Sequence, residues 1–251
     1  MIRATAALCV FEIHVARLRA EAGPFVLAAL VFPSAMYMFA NAVSGTDGSL
    51  EAQHQLRFLS GSIVFSLSLT AVSWLGYLLL ENRFTGRLKL FATLPLAPSS
   101  YVTGILVFAL AQAALGTTSL FVIGALLGVH ADVHGIGGVA SLLLVLVLTV
   151  LSVGGIAVII AARARSFTEG SLLTDALGAG MVFLAPVYST PESLPAVIRV
   201  VSRALPTTYA AHGLRTALAG GRAGLTDLTM LAVMAAAALA IGFRVMRWQE
   251  D

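Results

Sequence analysis

Six stretches of the sequence are each long and apolar enough to cross a hydrocarbon core about 30 Å thick, which takes roughly 20 residues of helix. They run Pro24–Val43, Phe58–Leu80, Tyr101–Val129, Ile136–Ala161, Ser171–Tyr188 and Leu225–Phe243. Such a chain has little choice of fold, because backbone polar groups in lipid must be satisfied within each segment, and only helices do that for single spans. Composition agrees: 11% of the 251 residues are charged and 59% are hydrophobic, whereas a soluble domain carries about 25% charged residues. The expectation is an all-α integral membrane protein, one six-span unit over residues 1–251. No repeat, low-complexity tract or linker marks a second domain. The third span is long enough to tilt, or to break near Gly116.

An even number of spans places both termini on one side, so the basic residues of the two sets of loops can be compared. One set holds Arg3, Arg17, Arg19, Arg83, Arg87, Lys89, Arg163, Arg165, Arg244 and Arg247; the other holds Arg57, Arg199, Arg203, Arg215 and Arg222. The positive-inside rule then makes the termini cytoplasmic. The net charge of +3 would suggest nucleic acid in a soluble protein, but here it reads as an orientation signal, and no nucleic-acid partner is expected. Four of the outer arginines fall between the fifth and sixth spans, which predicts that this loop is structured. The single cysteine, Cys9, excludes an internal disulfide.

Three polar segments show helical periodicity. Near the N-terminus Ala7, Phe11, Val15 and Leu18 recur at helical spacing, with Glu12, Arg17, Arg19 and Glu21 elsewhere on the wheel; this predicts an interfacial helix, with a plain solvated tail as the alternative. After the second span, Phe84, Leu88 and Phe91 share one face of a short basic helix stopped by Pro95 and Pro98. That helix either lies on anionic lipid or docks a soluble partner. Between the fifth and sixth spans, Leu194, Val197, Ile198, Val201 and Leu205 face one way and Glu192, Arg199 and Arg203 the other. Pro206 ends that helix or bends it into LPTTYAAHGLR, Leu205 to Arg215.

Chemistry-bearing patterns are few. There is no HExxH, no GxSxG and no pair of acids placed to act on a bond, so no catalytic residue and no enzyme activity of the chain's own are expected. The only lysine, Lys89, stands between Leu88 and Leu90, which excludes a Walker A loop; any ATP site belongs to another chain. His130, Asp132 and His134 do not share a helix face, so a wet outer loop is expected there and no metal site. Asp175, one turn inside the fifth span, must lie near the cytoplasmic surface or line a cavity. Gly124 with Gly128, and Gly178 with Gly180, are small-residue pairs at which helices could approach closely.

Two of these segments together resemble the hallmarks of ABC-2 type transporter permeases. Glu81 and Arg83 followed by GRLKLFATLP, Gly86 to Pro95, are similar to the family's E-R-E-x-G-x-L-x-x-L-x-x-x-P segment. ESLP at Glu192 to Pro195 with LPTTYAAHGLR resembles its second hallmark, a leucine-proline pair before threonine-tyrosine and a terminal leucine-arginine. There are departures: Glu81 is displaced by one residue, Phe84 and Thr85 stand near the place of the second acid, Phe91 replaces a leucine, and His212 occupies a place often acidic.

The resemblance implies a permease in a bacterial inner membrane that dimerises with an identical or different copy, contacts membrane lipid, and binds an ABC ATPase subunit carrying ATP and Mg. This chain would itself bind no cofactor. The loop after the second span would be a coupling helix, with Glu81, Arg83, Gly86, Arg87 and Leu88 at the ATPase. Ser66, Ser68, Thr70 and Ser73 of the second span, and Thr174, Asp175 and Met181 of the fifth, would be candidates to line the path. The segment between spans five and six would be an outer re-entrant helical hairpin, a gate formed by Leu205, Pro206, Thr208, Tyr209 and Arg215, with Tyr209 at the interface and Arg215 reaching headgroups or a carboxylate; an ordinary interfacial anchor is the alternative. The implied function is ATP-driven export of a hydrophobic or amphiphilic substrate such as a drug, antibiotic or lipid. The competing readings are a haem-export permease of cytochrome maturation and a membrane-embedded enzyme or scaffold without an ATPase.

Overall fold

The computed structural model describes residues 2–20, 22–44, 52–93, 97–129 and 131–246. Leu94, Pro95, His130 and Arg247 lie outside these residues. Everything regular among them is helical apart from one isolated bridge, Asp132 to Ala219. The N-terminal helix α1 is Ile2–Ala20. A continuous rod follows, made of α2 (Ala22–Val26), a π-helical turn (Leu27–Val31) and α3 (Phe32–Ser44). A second rod joins α4 (Ala52–Ser68), a π-helical turn (Leu69–Trp74) and α5 (Leu75–Phe84). Then come α6 (Arg87–Thr93), α7 (Pro98–Leu126), α8 (Gly135–Arg163), α9 (Phe167–Phe183), a 3-10 turn (Pro191–Ser193), α10 (Ala196–Ser202), α11 (Pro206–Leu218) and α12 (Leu225–Val245).

Among the described residues four helical segments are long and apolar enough by themselves to cross a membrane: His54–Phe84, Pro98–Leu126, Gly135–Arg163 and Leu225–Val245. They correspond to the second, third, fourth and sixth expected spans. The third is unbroken at Gly116, because a glycine inside an otherwise apolar helix, with no proline beyond its first turn, keeps its backbone hydrogen bonds. The first expected span is the rod Ala22–Ser44, and the fifth is α9, which begins and ends earlier than Ser171–Tyr188 and has 17 residues. At 1.5 Å per residue α9 covers about 25 Å, short of a full core.

Local sequence explains the boundaries. Pro98 and Pro206 each sit at the first turn of their helix, where the missing N–H costs nothing. Ser166 caps α9 by accepting from the Glu169 N–H at 3.1 Å, and the Glu169 carboxylate accepts from the Arg165 N–H at 3.0 Å. Gly86, at φ +77°, makes the turn between α5 and α6. That turn separates Phe84 from Leu88 and Phe91, so the three do not share one helix as their spacing suggested. Similarly, Leu194 and Leu205 are extended caps flanking the short helix α10, and its apolar Val197 and Val200 point outward, 75% and 67% exposed.

The rod His54–Phe84 is the axis of the bundle and contributes much of its fully buried core, including Leu59, Ile63, Leu67, Leu75 and Leu80. Small residues set how closely neighbours approach. A Cβ at Gly76 would stand 2.4 Å from Thr174 Cγ2, and one at Gly178 would stand 2.9 Å from Ser73 Oγ, so α9 lies hard against the lower half of the rod. Gly155 meets Ala238 in the same way, joining α8 to α12. Of the glycine pairs singled out in the sequence, Gly124 packs on Leu59 and Gly178 on Ser73. Gly128 instead turns the chain at φ +79°, and Gly180 faces open space.

Candidate functional site

The α6 end of the rod is cross-braced by side chains. Glu81, near the end of α5, accepts two hydrogen bonds from one Arg17 nitrogen of α1, at 2.8 and 2.6 Å, and a third from Arg87 at 3.2 Å. One carboxylate therefore joins the N-terminal helix, the rod and the first residue of α6. Arg83 points to the other side and donates to the carbonyls of Ala161 and Ala164 at 2.7 and 2.9 Å, where α8 ends. Those carbonyls have no partners within their own helix, and a guanidinium is well matched to them. Asn82 donates to the Tyr101 hydroxyl at 2.9 Å, and Phe91 lies on the Tyr101 ring at a centroid distance of 5.2 Å. Leu88 is buried beside them. The outward face of this turn is basic and apolar: Phe84, Arg87, Lys89 and Leu90 are all exposed.

Beside this brace a cavity of about 650 Å³ opens between helices. Its walls come from α1 (His14, Arg17), the first rod (Leu27, Phe32), the second rod (Leu69, Ser73, Trp74, Tyr77, Glu81), α7 (Phe108) and α9 (Asp175). Both π-helical turns contribute to its wall, a place where such wide turns often occur in functional proteins. The His14 Nδ1–H donates to the Val10 carbonyl at 2.7 Å, which leaves Nε2 as the acceptor nitrogen of the neutral ring. Burial pushes the His14 pKa down, and although the Val10 bond opposes it, the charges of Arg17 and Arg87 add to the depression. The ring is neutral at pH 7.

The opposite end of the rod is held differently. Thr207 donates to the Met181 carbonyl at 2.6 Å, Thr208 to Ser202 at 2.6 Å and Tyr209 to Arg203 at 2.8 Å. Arg215 donates to the carbonyls of Pro186, at 2.5 Å, and Val187. Its guanidinium is thus spent on the chain that leaves α9 instead of reaching headgroups or a carboxylate as anticipated, and the Tyr209 hydroxyl is bonded within the hairpin. The reason is that the unpaired carbonyls after α9 lie within reach and need donors. Burial holds the Arg215 pKa down to about 10, with the nearby Arg57 charge acting in the same direction, so the group stays protonated at neutral pH. His212 pairs with the buried Asp227 of α12 at 2.7 Å. Arg57, His212 and Arg215 line a hollow of about 390 Å³ there.

These two braced ends carry the two segments whose motifs stood out in the sequence. A family model described as ABC-2 type transporter matches residues 14–219. The chain belongs to that family. No curated protein matches it. ABC-2 chains are membrane components of transporters that work with an ABC ATPase subunit, and with its long apolar helices this chain is a multi-pass membrane protein of the permease type.

As an ABC-2 chain, it distributes the predicted positions unevenly. Ser73 and Asp175 line the cavity. Ser66, Ser68, Thr70, Thr174 and Met181 are buried in the packing of the rod and α9. Of the positions expected on the ATPase side, Arg87 is exposed, Gly86 forms the turn, and Glu81, Arg83 and Leu88 face inward as braces. At the hairpin, Leu205 and Pro206 cap and start α11. Asp132 and His134 form a pair at 3.1 Å on the surface. Sequence reading missed the cavity walls from α1 and α7. His14 and Phe108 meet at a ring distance of 5.6 Å, and the only signal for them was a polar and an aromatic residue on faces otherwise suited to packing.

Proposed function

We propose that this chain is the permease subunit of an ATP-driven exporter in a bacterial inner membrane, moving a hydrophobic or amphiphilic substrate outward. In this reading the rod Ala22–Ser44 and α9 add two crossings to the four long apolar helices, giving six spans with cytoplasmic termini. The observation that carries the reading is the exposed basic and apolar turn at Phe84, Arg87, Lys89 and Leu90, rigidly braced from behind in a chain of this family. A surface that transmits force needs that combination: groups free to contact a partner, on a backbone that cannot yield alone. A separate ATPase binds ATP and Mg, closes, and moves α6. Glu81 and Arg83 pass the displacement to α1 and α8. The free energy comes from the different affinities of the two permease conformations for the nucleotide-bound partner. A second copy, identical or different, completes the path, and the hairpin α10–α11 is its outer re-entrant gate.

Two reversals of charge test the docking face. Arg87→Glu removes the brace to Glu81 and inverts the surface, whereas Lys89→Glu inverts only the surface, since Lys89 makes no ion pair among the described residues. Both are expected to abolish ATP-dependent transport in vesicles while leaving membrane insertion intact. Unchanged transport in both would overturn the assignment. Co-purification with the product of a neighbouring reading frame containing GxxxxGK[ST] tests the partner directly.

A further inference from the structure

The cavity beside the brace has an unbalanced charge. Of the charged residues on its wall, Arg17 and Glu81 neutralise each other; Arg87, which also contacts Glu81, is exposed and is not part of the wall. His14 is neutral, its ring bonded to the Val10 carbonyl. Asp175 remains: it projects from the middle of α9, is exposed on the cavity, and has no hydrogen bond or ion pair among the described residues. A carboxylate at that depth is costly unless water or a cation meets it. The rotation of α9 about its axis is fixed by its neighbours, because Thr174 is locked against Gly76 and Gly178 against Ser73. The face of α9 that carries Asp175 is therefore held toward the cavity.

The remaining wall is apolar and rich in rings, with Phe32, Trp74, Tyr77 and Phe108 around the opening. Ring faces attract cations, Trp and Tyr most strongly, and the attraction is larger where water is excluded. A small hydrated ion gains nothing from such walls, and an anion meets Asp175 on a wall whose arginine, Arg17, already faces Glu81. A volume of about 650 Å³ falls within the range of sites for drug-sized ligands.

We propose that this cavity binds a lipophilic cation, an organic ammonium or phosphonium with apolar arms, whose charge is matched by Asp175 and whose body lies against Trp74 and Tyr77. The proposal rests on the transport reading only in making that cation the cargo; the binding site stands on the cavity itself. It narrows the substrate class from amphiphiles in general to those bearing a positive charge.

Trp74 makes the test local. The chain has two tryptophans, so Trp248→Phe leaves Trp74 as the sole reporter on the cavity wall. With the purified chain in lipid nanodiscs, tetraphenylphosphonium is titrated against Trp74 fluorescence and compared with tetraphenylborate, which has the same shape and the opposite charge. Saturable quenching by the phosphonium and none by the borate is expected. Asp175→Asn should weaken phosphonium binding about tenfold, the scale of one charge-assisted contact, while Asp175→Glu should stay within about threefold. Size-exclusion profiles check that both variants fold. Equal binding of the borate, an unchanged affinity in Asp175→Asn, or no saturable phosphonium quenching would each overturn the site. Co-purification of an ATPase is scored separately. Phosphonium binding by a chain that recruits no ATPase upholds the cavity and removes the exporter reading; an ATPase recruited by a chain that binds no phosphonium does the reverse.

Discussion

At the α6 end of the rod the Glu81 carboxylate joins Arg17 and Arg87 from side chain to side chain, beside Arg83, which holds two carbonyls of α8; at the α11 end the bonds from Thr207, Thr208, Tyr209 and Arg215 run to backbone carbonyls, with His212 and Asp227 pairing side chain to side chain. The first arrangement is a cluster of partly exposed charges, open to screening by salt even though Arg83 anchors the same turn to α8. The second is tied to the path of the backbone itself. In the proposed reading, force enters through a turn that is braced but sensitive to salt, and the outer closure stands on bonds to the backbone.

The sharpest way to break the comparison is at Arg215. Arg215→Ala leaves two largely buried carbonyls without their charged donor, and a loss of about 3 kcal/mol is expected from the usual worth of such bonds. Thermal unfolding of the purified chain should show it at low and at high salt alike. Glu81→Gln removes the carboxylate shared by two arginines that are themselves partly exposed, and its cost is expected near 1–2 kcal/mol. Here salt is the discriminator. Raising ionic strength should shrink the gap between wild type and Glu81→Gln, while leaving that between wild type and Arg215→Ala in place. If both gaps respond equally to salt, the two joints do not differ as described.

The smallest effect concerns pH. The folded pKa of His14 lies below its ordinary 6.5, so folding favours the neutral ring. Its contribution to stability is complete above 6.5, declines as pH falls through that value, and levels off once the folded pKa is passed. Unfolding midpoints measured downward from pH 7.5 should therefore slope gently for wild type and less for His14→Gln. Equal slopes would remove His14 as the source.

Much of this was legible in the sequence because hydrocarbon thickness leaves helices few lengths to adopt. The four long apolar helices and both motif-bearing turns follow from runs of apolar residues and from proline and glycine positions. What stayed hidden depends on partners distant in the chain. Arg17 and Glu81 are 64 positions apart, and nothing in either neighbourhood announces the other. Periodicity also does not say which of two apolar faces meets protein and which meets a void, and so Ser73 and Asp175 reached the cavity while Ser66, Thr70, Thr174 and Met181 went into packing. The π-helical turns left no trace, since a wide turn is selected by what packs around it.

Those turns alter how the chain tolerates a change of length. In an ordinary helix the loss of one residue rotates all that follows by about 100° and turns its buried face outward. Leu27–Val31 and Leu69–Trp74 each already contain the surplus of a wider turn. Removing one residue from either would restore a plain helix and keep both flanks in register, so these are the places in the two rods where a deletion should be absorbed, at the expense of the cavity wall and not of the fold.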